Sequence, residues 1–303
     1  MSHNVSNIEI ISAPSILGLR PGGVEELAQS LLGAGLAMRL QVSLSVKHID
    51  TLNALYSEER DPLTNCLNPQ PISDFSHSLG AVVASAVNEG KFPVVLGGDC
   101  SILIGIMAAL KIIGTHGLIF LDAHADFYEP EKSTTGEVAD MDLAIVTGRG
   151  PAVLTNIHNL CPYVKDEQVI HIGQRDMEET EKNGSRDIRE TNIACYSMAD
   201  IEEQGIKKIT AVAVQHAQRL PVESFWIHFD TDVLADEINP AVDYRLPGGL
   251  SFSQLEHLMN KLLTSVNIAG MSVSIFNPQL DTDGCIAKNI VNSIGRAFFP
   301  DAG

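Results

Sequence analysis

The sequence predicts an α/β protein in which a mostly parallel sheet is covered by helices on both faces. Short apolar runs, typical of interior parallel strands, alternate with longer stretches in which apolar residues recur every three or four positions. This alternation favours strand–helix–strand units. The chain has 303 residues, 45% of them hydrophobic, and can bury a substantial core, so we expect one domain over residues 1–303.

The first part of the chain is predicted to contain two strands and two helices. The strands are Ile8–Ser12 and Val42–Ile49, and Gly22–Leu40 between them has the helical period. Tyr56–Ser73 is polar and contains three prolines, so we expect a loop there. The second helix follows at Asp74–Glu89.

The middle of the chain repeats the strand–helix pattern. Pro93–Leu96 is a predicted strand, and two glycines after it allow a tight turn into a helix over Ile102–Ile113. The strand Gly117–Leu121 comes next, and the polar stretch Phe127–Met141 is a predicted loop. Two further helical stretches are predicted at Asp142–Gly148 and Ala152–Leu160.

The last part of the chain supplies the remaining elements. Further strands are predicted at Gln168–Gly173, Ile193–Tyr196, Phe225–Phe229 and Ala269–Ile275. A turn and a helix are expected over Glu178–Asn183 and Asp187–Thr191. A helix opens at Ser197–Asp200, and three more cover Gly205–Gln218, Ser253–Ser265 and Asp283–Ala297.

The composition excludes several classes of partner. The formal net charge is −18, whereas nucleic acids and anionic membranes bind clustered Lys and Arg, so we expect neither as a partner. No stretch reaches the ~18 consecutive apolar residues of a membrane span, and no apolar signal core follows the polar start of the chain. Five cysteines without CxxC spacing fit a reducing compartment, so we expect a cytoplasmic protein.

Acidic residues with one imidazole follow two of the predicted strands. Asp122, His124 and Asp126 come after one apolar run, and Asp230 and Asp232 come after another. Open α/β sheets place ligands beyond the carboxyl ends of such strands, so these side chains can meet in one crevice. A buried, unpaired acid is costly, and a bound cation removes that cost. The pattern therefore predicts a divalent metal site, with capping acids in ordinary loops as the alternative.

A third segment of the same form is Gly97–Ser101, with the sequence GGDCS. Asp99 or Ser101 can cap the following helix, which places Cys100 in the same crevice. A free cysteine is more often a small buried hydrophobe than a ligand, so both interpretations stay open for Cys100. His228 lies between aromatic and aliphatic neighbours on a predicted strand and is interpreted as a buried core residue or as one that supports a metal ligand.

These segments resemble those of the arginase and agmatinase family, the ureohydrolases, over nearly the whole chain. Gly97–Ser101 is similar to the family's GGDHS motif with Cys for His, Asp122–Asp126 matches DAHxD, and Phe229–Asp232 matches FDxD. Supporting matches are Ile172–Asp176, Pro247–Leu250 and Asn277-Pro278. The resemblance implies a three-layer α/β/α fold with a mostly parallel central sheet, and a homo-oligomer that is a trimer or a hexamer.

The resemblance also implies two manganese ions per chain and hydrolysis of a guanidino or amidino carbon by metal-bound hydroxide. Carried over by position, the first metal takes Cys100, Asp122, Asp126 and Asp230, and the second takes His124, Asp122, Asp230 and Asp232. Oxygen ligands with one imidazole suit Mn²⁺. Thiolate is softer than imidazole, so Zn²⁺, Co²⁺ or Fe²⁺ are the alternatives. A hydroxyarginine-hydrolysing branch of the family resembles this chain in having Cys at that position.

Positions that contact the substrate in the family differ in this chain. Ile275 stands where the family pattern has an acid for the substrate's guanidinium, and an apolar side chain cannot pair with that cation. Ordinary arginine and agmatine are therefore poor candidates. Ala139 stands where arginases carry a proton-shuttling His, and Glu137 is our candidate shuttle. The predicted substrate-binding residues, with solvated loop residues as the alternative, are Tyr128, Thr135 and Glu178.

The sequence thus predicts a binuclear metallohydrolase that cleaves a C–N bond of a guanidino, hydroxyguanidino or amidine small molecule. Asp126, which in the family accepts a hydrogen bond from the hydroxide, is the predicted catalytic residue together with Glu137. The alternative is a non-catalytic or regulatory member that keeps the fold and binds metal. Cys100, Ala139 and Ile275 motivate that alternative.

Overall fold

The computed structural model describes residues 7–43, 45–50 and 56–300, which contain a central sheet of eight strands. The strands are β1 (Ile8–Ser12), β2 (Val46–His48), β3 (Phe92–Leu96), β4 (His116–Leu121), β5 (Val169–Ile172), β6 (Ala194–Tyr196), β7 (Ser224–Asp230) and β8 (Ile268–Ser274). They pair in the order β2-β1-β3-β8-β7-β4-β5-β6, and every pair of neighbouring strands is parallel. The predicted parallel α/β sheet is confirmed.

Helices cover both faces of this sheet. They are α1 (Leu27–Gly33), α2 (Leu36–Arg39), α3 (Pro69–Asn88), α4 (Ile102–Ile113), α5 (Asp142–Val146), α6 (Ala152–Thr155), α7 (Met177–Asn183), α8 (Met198–Gln204), α9 (Ile206–Arg219), α10 (Phe252–Ser265) and α11 (Cys285–Phe298). One hydrophobic cluster contains residues of α1, α2 and α8 to α11, and a second contains residues of α3 to α6. The predicted three-layer α/β/α arrangement is confirmed.

The strands read as continuous apolar runs because both of their faces are buried. In β4, Ile119 and Leu121 belong to the first cluster, whereas Leu118 and Phe120 belong to the second. Successive side chains of a strand point to opposite faces, so a strand between two helical layers needs apolar residues at every position. Of the helices in the described ranges, none has both the length and the apolar character needed to cross a bilayer.

The N-terminal part differs from the prediction in three places. The helix expected over Gly22–Leu40 is divided, with Gly35 at φ 97° between α1 and α2. Helix α3 begins at Pro69, inside the predicted loop, because proline's fixed φ and missing N–H suit the first helical turn. The second strand was predicted over Val42–Ile49, of which position 44 lies outside the described residues, and its pairing with β1 covers Val46–His48.

Smaller differences follow in the loops. The helix expected over Ala152–Leu160 ends at Thr155, and a 3₁₀ turn at Ile157–Asn159 completes it. The predicted loop Phe127–Met141 contains a 3₁₀ turn at Val138–Asp140. The segment predicted as a turn and a helix forms α7 followed by a 3₁₀ turn at Ile188–Glu190.

The centre of the sheet is built from strands that are distant in the chain. β3, β8, β7 and β4 are neighbours, so the last strand of the chain lies between the third and the seventh. Parallel neighbours end at the same edge of the sheet, and ligands of such folds bind beyond the carboxyl ends of the strands. The loops that follow β3, β4 and β7 therefore emerge side by side.

Candidate metal centre

The three segments singled out in the sequence lie together at the carboxyl edge of the central strands. Gly97–Ser101 follows β3 directly, Asp122 follows β4, and Asp230 is the last residue of β7. Two glycines permit the close packing after β3, because a Cβ at Gly98 would lie 1.8 Å from the carbonyl oxygen of Ser15. The chain thus reaches the crevice from three of the four central strands.

The acids and the imidazole converge as the spacing predicts. Potential ligand atoms of Asp122, Asp230 and Asp232 lie within 4.8 Å of one another, and so do those of Asp122, His124 and Asp126. His124 Nδ1 is 2.8 Å from Asp232 Oδ2 and 3.7 Å from Asp122 Oδ1. The four carboxylates are buried, and the His124 side chain is one-fifth exposed. Together they form one compact polar cluster.

Cys100 lies against this cluster. Its Sγ is 2.9 Å from Oδ2 of Asp230, close enough for the thiol to donate a hydrogen bond. Burial raises the pKa of the Cys100 thiol, and the Asp230 charge raises it further. Two more groups of potential ligand atoms within 4.8 Å contain this sulfur, one with Asp126 and Asp142 and the other with Asp122 and His228. Cys100 therefore faces the predicted crevice.

Local turns hold one oxygen of Asp122 and one oxygen of Asp230 in place. Asp122 Oδ1 accepts from the backbone N–H of His124 at 2.6 Å, and Asp230 Oδ1 accepts from that of Asp232 at 2.7 Å. Asp122 Oδ2 is buried without a hydrogen-bond partner among the described residues. Buried polar atoms normally have partners, so this oxygen is suited to a metal ligand's role.

Residues of β5 and of the segment after it hold the loop Asp122–Asp126 by hydrogen bonds. His171 Nε2 donates to the carbonyl of His124 at 2.8 Å, and Asp176 accepts from the backbone N–H of Ala125 at 3.0 Å. Burial lowers the pKa of His171 to about 4, so its ring is neutral. These contacts set the orientation of the loop that carries three of the candidate ligands.

Burial and mutual repulsion make the acid cluster unfavourable without a cation. Burial, followed by the charge of Asp232, raises the pKa of Asp122 to about 7, and burial also raises the pKa values of Asp126 and Asp230. Burial acts against the ionised form of Asp232 too, but His124 beside it holds the pKa of that carboxyl below its usual value. Burial alone would lower the pKa of His124, but the neighbouring acids Asp232 and Asp122 raise it above its usual value.

The donor set fits divalent cations. Clustered carboxylates at low solvent exposure are costly unless paired with positive charge. Within the described acid cluster, His124 is the basic side chain that lies at ion-pair distance from carboxylates, and one imidazole cannot neutralise all the acids around it. Oxygen ligands with one imidazole and one sulfur suit Mn²⁺ and its softer neighbours in the first transition row. The orphaned oxygen of Asp122 points to the same conclusion.

Two residues of the cluster were not predicted as ligands. Asp142, the first residue of α5, is fully buried, and both its carboxylate oxygens lack partners in the described structure. Its position in the sequence resembles an ordinary helix start, so no pattern pointed to it. His228 is buried as interpreted, but its Nε2 lies 3.3 Å from Cys100 Sγ. Burial lowers the pKa of His228 to about 3, which leaves its ring neutral.

A cavity of about 270 Å³ opens onto the cluster. Tyr128, Thr135 and Glu137, which the sequence predicted as substrate-binding or proton-transfer residues, line it. Glu178 is exposed and does not line the cavity, whereas its neighbour Glu179 does. Acidic side chains dominate the lining, namely Asp126, Glu137, Asp140, Asp176, Glu179, Asp230, Asp232 and Asp243.

One wall of the cavity is apolar. Ile275 and Ala139 line it and pack in a small hydrophobic cluster with Leu19, Val242 and the Cys100 side chain. Ile275 has φ 70°, a left-handed conformation that is a genuine outlier for a β-branched residue. Strain of this kind persists where the surroundings enforce it, and it clusters at functional sites. The apolar side chain is therefore held at the cavity wall.

Comparison with known proteins identifies the family. The family model described as "Arginase family" matches residues 20–298. Arginase of Staphylococcus aureus strain MSSA476 is 31% identical over 300 residues, covering 96% of each chain. The structure of arginase from Bacillus caldovelox superposes with a TM-score of 0.86 at 28% identity over 99% of both chains, and that from Bacillus cereus with 0.82 at 27% identity over 96% and 98%. The chain belongs to the arginase family.

Proposed function

We propose that this protein is a binuclear ureohydrolase-type enzyme that cleaves a C–N bond in a guanidino, hydroxyguanidino or amidine small molecule. The observation that carries the proposal is the buried cluster of Asp122, His124, Asp126, Asp230 and Asp232 beside an acidic cavity. Membership of the arginase family supports metal-dependent hydrolysis. The same cluster in an open crevice has room for a small substrate.

We propose two divalent cations per chain, Mn²⁺ first and Zn²⁺, Co²⁺ or Fe²⁺ as alternatives. The first is held by Cys100, Asp122, Asp126 and Asp230, and the second by His124, Asp122, Asp230 and Asp232. When bound, such a pair supplies an activated water and orients the substrate. Ligand atoms of Asp122 lie within 4.8 Å of those of Asp126 in one group and of Asp232 in another, and Asp230 lies beside both Cys100 and Asp232, which supports sharing of Asp122 and Asp230 between the two positions.

In this proposal Asp126 and Glu137 handle the protons. Asp126 lines the cavity and accepts a hydrogen bond from the attacking water, which orients it. Glu137 accepts a hydrogen bond from the Tyr244 hydroxyl at 2.6 Å, and its Oε1 is 3.3 Å from Nε of Arg20. Burial raises the pKa of Glu137, so it can hold a proton closer to neutral pH, as a shuttle requires.

The cavity lining supports a basic or amine-bearing substrate that differs from ordinary arginine. The acids of the lining attract positive charge, and Tyr128 and Thr135 offer hydroxyl groups for contact. Glu178 remains a proposed contact, although the structure favours Glu179 for that role because it faces the cavity. The apolar side chain of Ile275 in the cavity wall cannot pair with a cationic guanidinium, and desolvating an unpaired cation is costly.

We further propose that residues 1–303 form one catalytic domain. We also propose that the protein is cytoplasmic and forms a homo-oligomer. The five cysteines are free in the structure, which is consistent with a reducing compartment. The trimer or hexamer is implied by the family alone.

The test combines metal analysis with an activity screen. Purified protein is assayed for metal per chain and for urea or ammonia release from a panel of guanidines and amidines with Mn²⁺, Co²⁺ and Zn²⁺. We expect release from at least one compound, abolished by Asp232→Ala and retained by Asp74→Ala, which makes the same change on the exposed side of α3. No release together with at most one metal per chain would establish the non-catalytic alternative instead.

A further inference from the structure

The side chains of β7 and β8 form a line of polar groups that runs through the core to Cys100. His228 is paired with Ser272 in the strand register, and Asp230 with Ser274. Trp226, His228, Ser272 and Ser274 are fully buried among apolar neighbours. A continuous polar line in a buried sheet face is costly unless every member is hydrogen-bonded, so the direction of each bond can be worked out.

The starting point is the indole of Trp226, which can only donate. Its Nε1–H donates to Ser272 Oγ at 3.0 Å. Within the described part of the chain, the other side-chain partner of that hydroxyl is His228 Nδ1 at 2.8 Å. The Ser272 proton therefore has one acceptor, the unprotonated Nδ1 of His228. It follows that the ring of His228 carries its proton on Nε2.

The proton on Nε2 points at the sulfur of Cys100. Nε2 of His228 is 3.3 Å from Cys100 Sγ and 3.3 Å from Ser274 Oγ, and that hydroxyl is 3.1 Å from the same sulfur. Donation from Nε2–H to the Ser274 oxygen leaves the serine proton free to reach the sulfur. The Nε2–H of His228 can thus donate either to Sγ directly or to Ser274 Oγ, whose own proton then donates to Sγ. In both arrangements a donor is directed at Sγ, and none of these groups loses another partner.

Resting on the proposed function, in which Cys100 is a metal ligand, we propose that His228 is the positioning residue that makes a cysteine suitable at this place. The relay from Trp226 through Ser272 fixes the Nε2–H tautomer, and His228 with Ser274 donates hydrogen bonds to the ligating sulfur. Donors aimed at a thiolate offset part of its charge. They are needed here because five carboxylates crowd the same cluster.

The hydrogen bonds of Ser272 also distinguish this role from direct ligation by His228. A ligating nitrogen must be unprotonated, and Nε2 is the nitrogen that faces the cluster. Ligation through Nε2 would move the ring proton to Nδ1 and leave the buried Ser272 hydroxyl without an acceptor. An unsatisfied buried hydroxyl is costly, so the observed bonds favour the donor role.

The tautomer is tested directly by ¹⁵N NMR of histidine-labelled protein, with and without added Zn²⁺, and His228→Phe identifies the signal. We expect the Nε2–H form in both states. Ser272→Ala removes the donor to Nδ1 and is expected to produce a mixture of tautomers. A His228 ring protonated on Nδ1 in the unmodified protein overturns the relay, whatever the ligand set of the metals.

The effect on the sulfur is tested with Co²⁺, whose bond to a thiolate gives a near-ultraviolet charge-transfer band. We expect the band in the unmodified protein and its loss in Cys100→Ser. We expect His228→Phe to shift the band to longer wavelength and to weaken Co²⁺ binding by roughly 10- to 100-fold, the usual range for partners of metal ligands. His228→Gln, which keeps an N–H donor, should lie closer to the unmodified protein.

The outcomes separate the two proposals. No band in the unmodified protein refutes ligation by Cys100 and with it the ligand set of the proposed function. A band that His228→Phe and Ser272→Ala leave unchanged in position and affinity refutes the relay while ligation stands. Far-ultraviolet circular dichroism and thermal unfolding verify the fold of each variant, and Ser272→Ala provides the smaller perturbation if the ring substitution does not fold.

Discussion

Asp99 is expected to be a main determinant of stability around the site, although it is not a proposed ligand. Its side chain is fully buried and accepts three hydrogen bonds: from Ser15 Oγ at 2.8 Å, from the Gly18 N–H at 3.2 Å and from the Ser101 N–H at 2.9 Å. The carboxylate therefore joins the loop after β1 to the turn that carries the cysteine. A Cβ at Gly18 would lie 2.3 Å from Oδ1 of Asp99, so the packing is close.

Asp99→Ala should lower the free energy of unfolding by about 4 kcal/mol. A hydrogen bond to a charged group contributes roughly 1.5–3 kcal/mol, and removing the acceptor leaves two backbone N–H groups and a hydroxyl buried without a partner. The three contributions are not additive, and loss of a buried charge returns some solvation free energy. In Asp99→Asn at least one N–H faces the new amide NH₂, so we expect an intermediate loss of about 2 kcal/mol.

The assay is urea unfolding followed by the fluorescence of Trp226, the single tryptophan of the chain. The control is Asp200→Ala, the same chemical change in the capping box of α8, where the loss should be about 1 kcal/mol. Equal losses for the two variants, within about 0.5 kcal/mol, would refute the reasoning that three donors converging on a buried carboxylate outweigh one helix cap.

Three further predictions follow. Burial raises the pKa of Asp140 to about 7, so the folded state binds this proton more tightly than the unfolded state and stability falls as pH rises from about 4 to 7; the advantage of Asp140→Asn in thermal unfolding at several pH values should grow across that range and level off above it at up to about 4 kcal/mol. Gly98→Ala, whose Cβ would lie 1.8 Å from the Ser15 carbonyl, should lose both stability and metal in unfolding and metal analysis. Cys100→His should tighten binding of the first metal in calorimetric titration, and unchanged affinity would show that Cys100 is not a ligand.

The sequence was most informative where one local pattern and one long-range rule agree. Continuous apolar runs predicted buried parallel strands, and acids at two strand ends predicted their convergence, because parallel neighbours share an edge. Asp122 and Asp232 therefore meet as expected. The start of α3 at Pro69 was missed because proline both ends helices and begins them, and only tertiary packing decides between these roles.

Other parts of the site depend on geometry that no short pattern encodes. Asp142 belongs to the cluster because the first turn of α5 lies against Cys100 and Asp126, and a single acid at a helix start carries no signal of burial. The left-handed conformation of Ile275 is enforced by its neighbours, against its own preference. The relay through His228 requires the register of β7 against β8, which fixes which side chains face each other.

The position of β8 has a consequence for how the protein matures. Its residues, Ile268–Ser274, separate β3 from β7, so the halves of the site cannot approach their final distance until this late-synthesised strand has inserted. A nascent or C-terminally truncated chain that lacks β8 should consequently be unable to place Cys100 beside Asp230, whereas the donors that follow β4 and β7 lie on strands that pair directly. The proposed metal position that includes Cys100 is then expected to fill only after β8 has been synthesised.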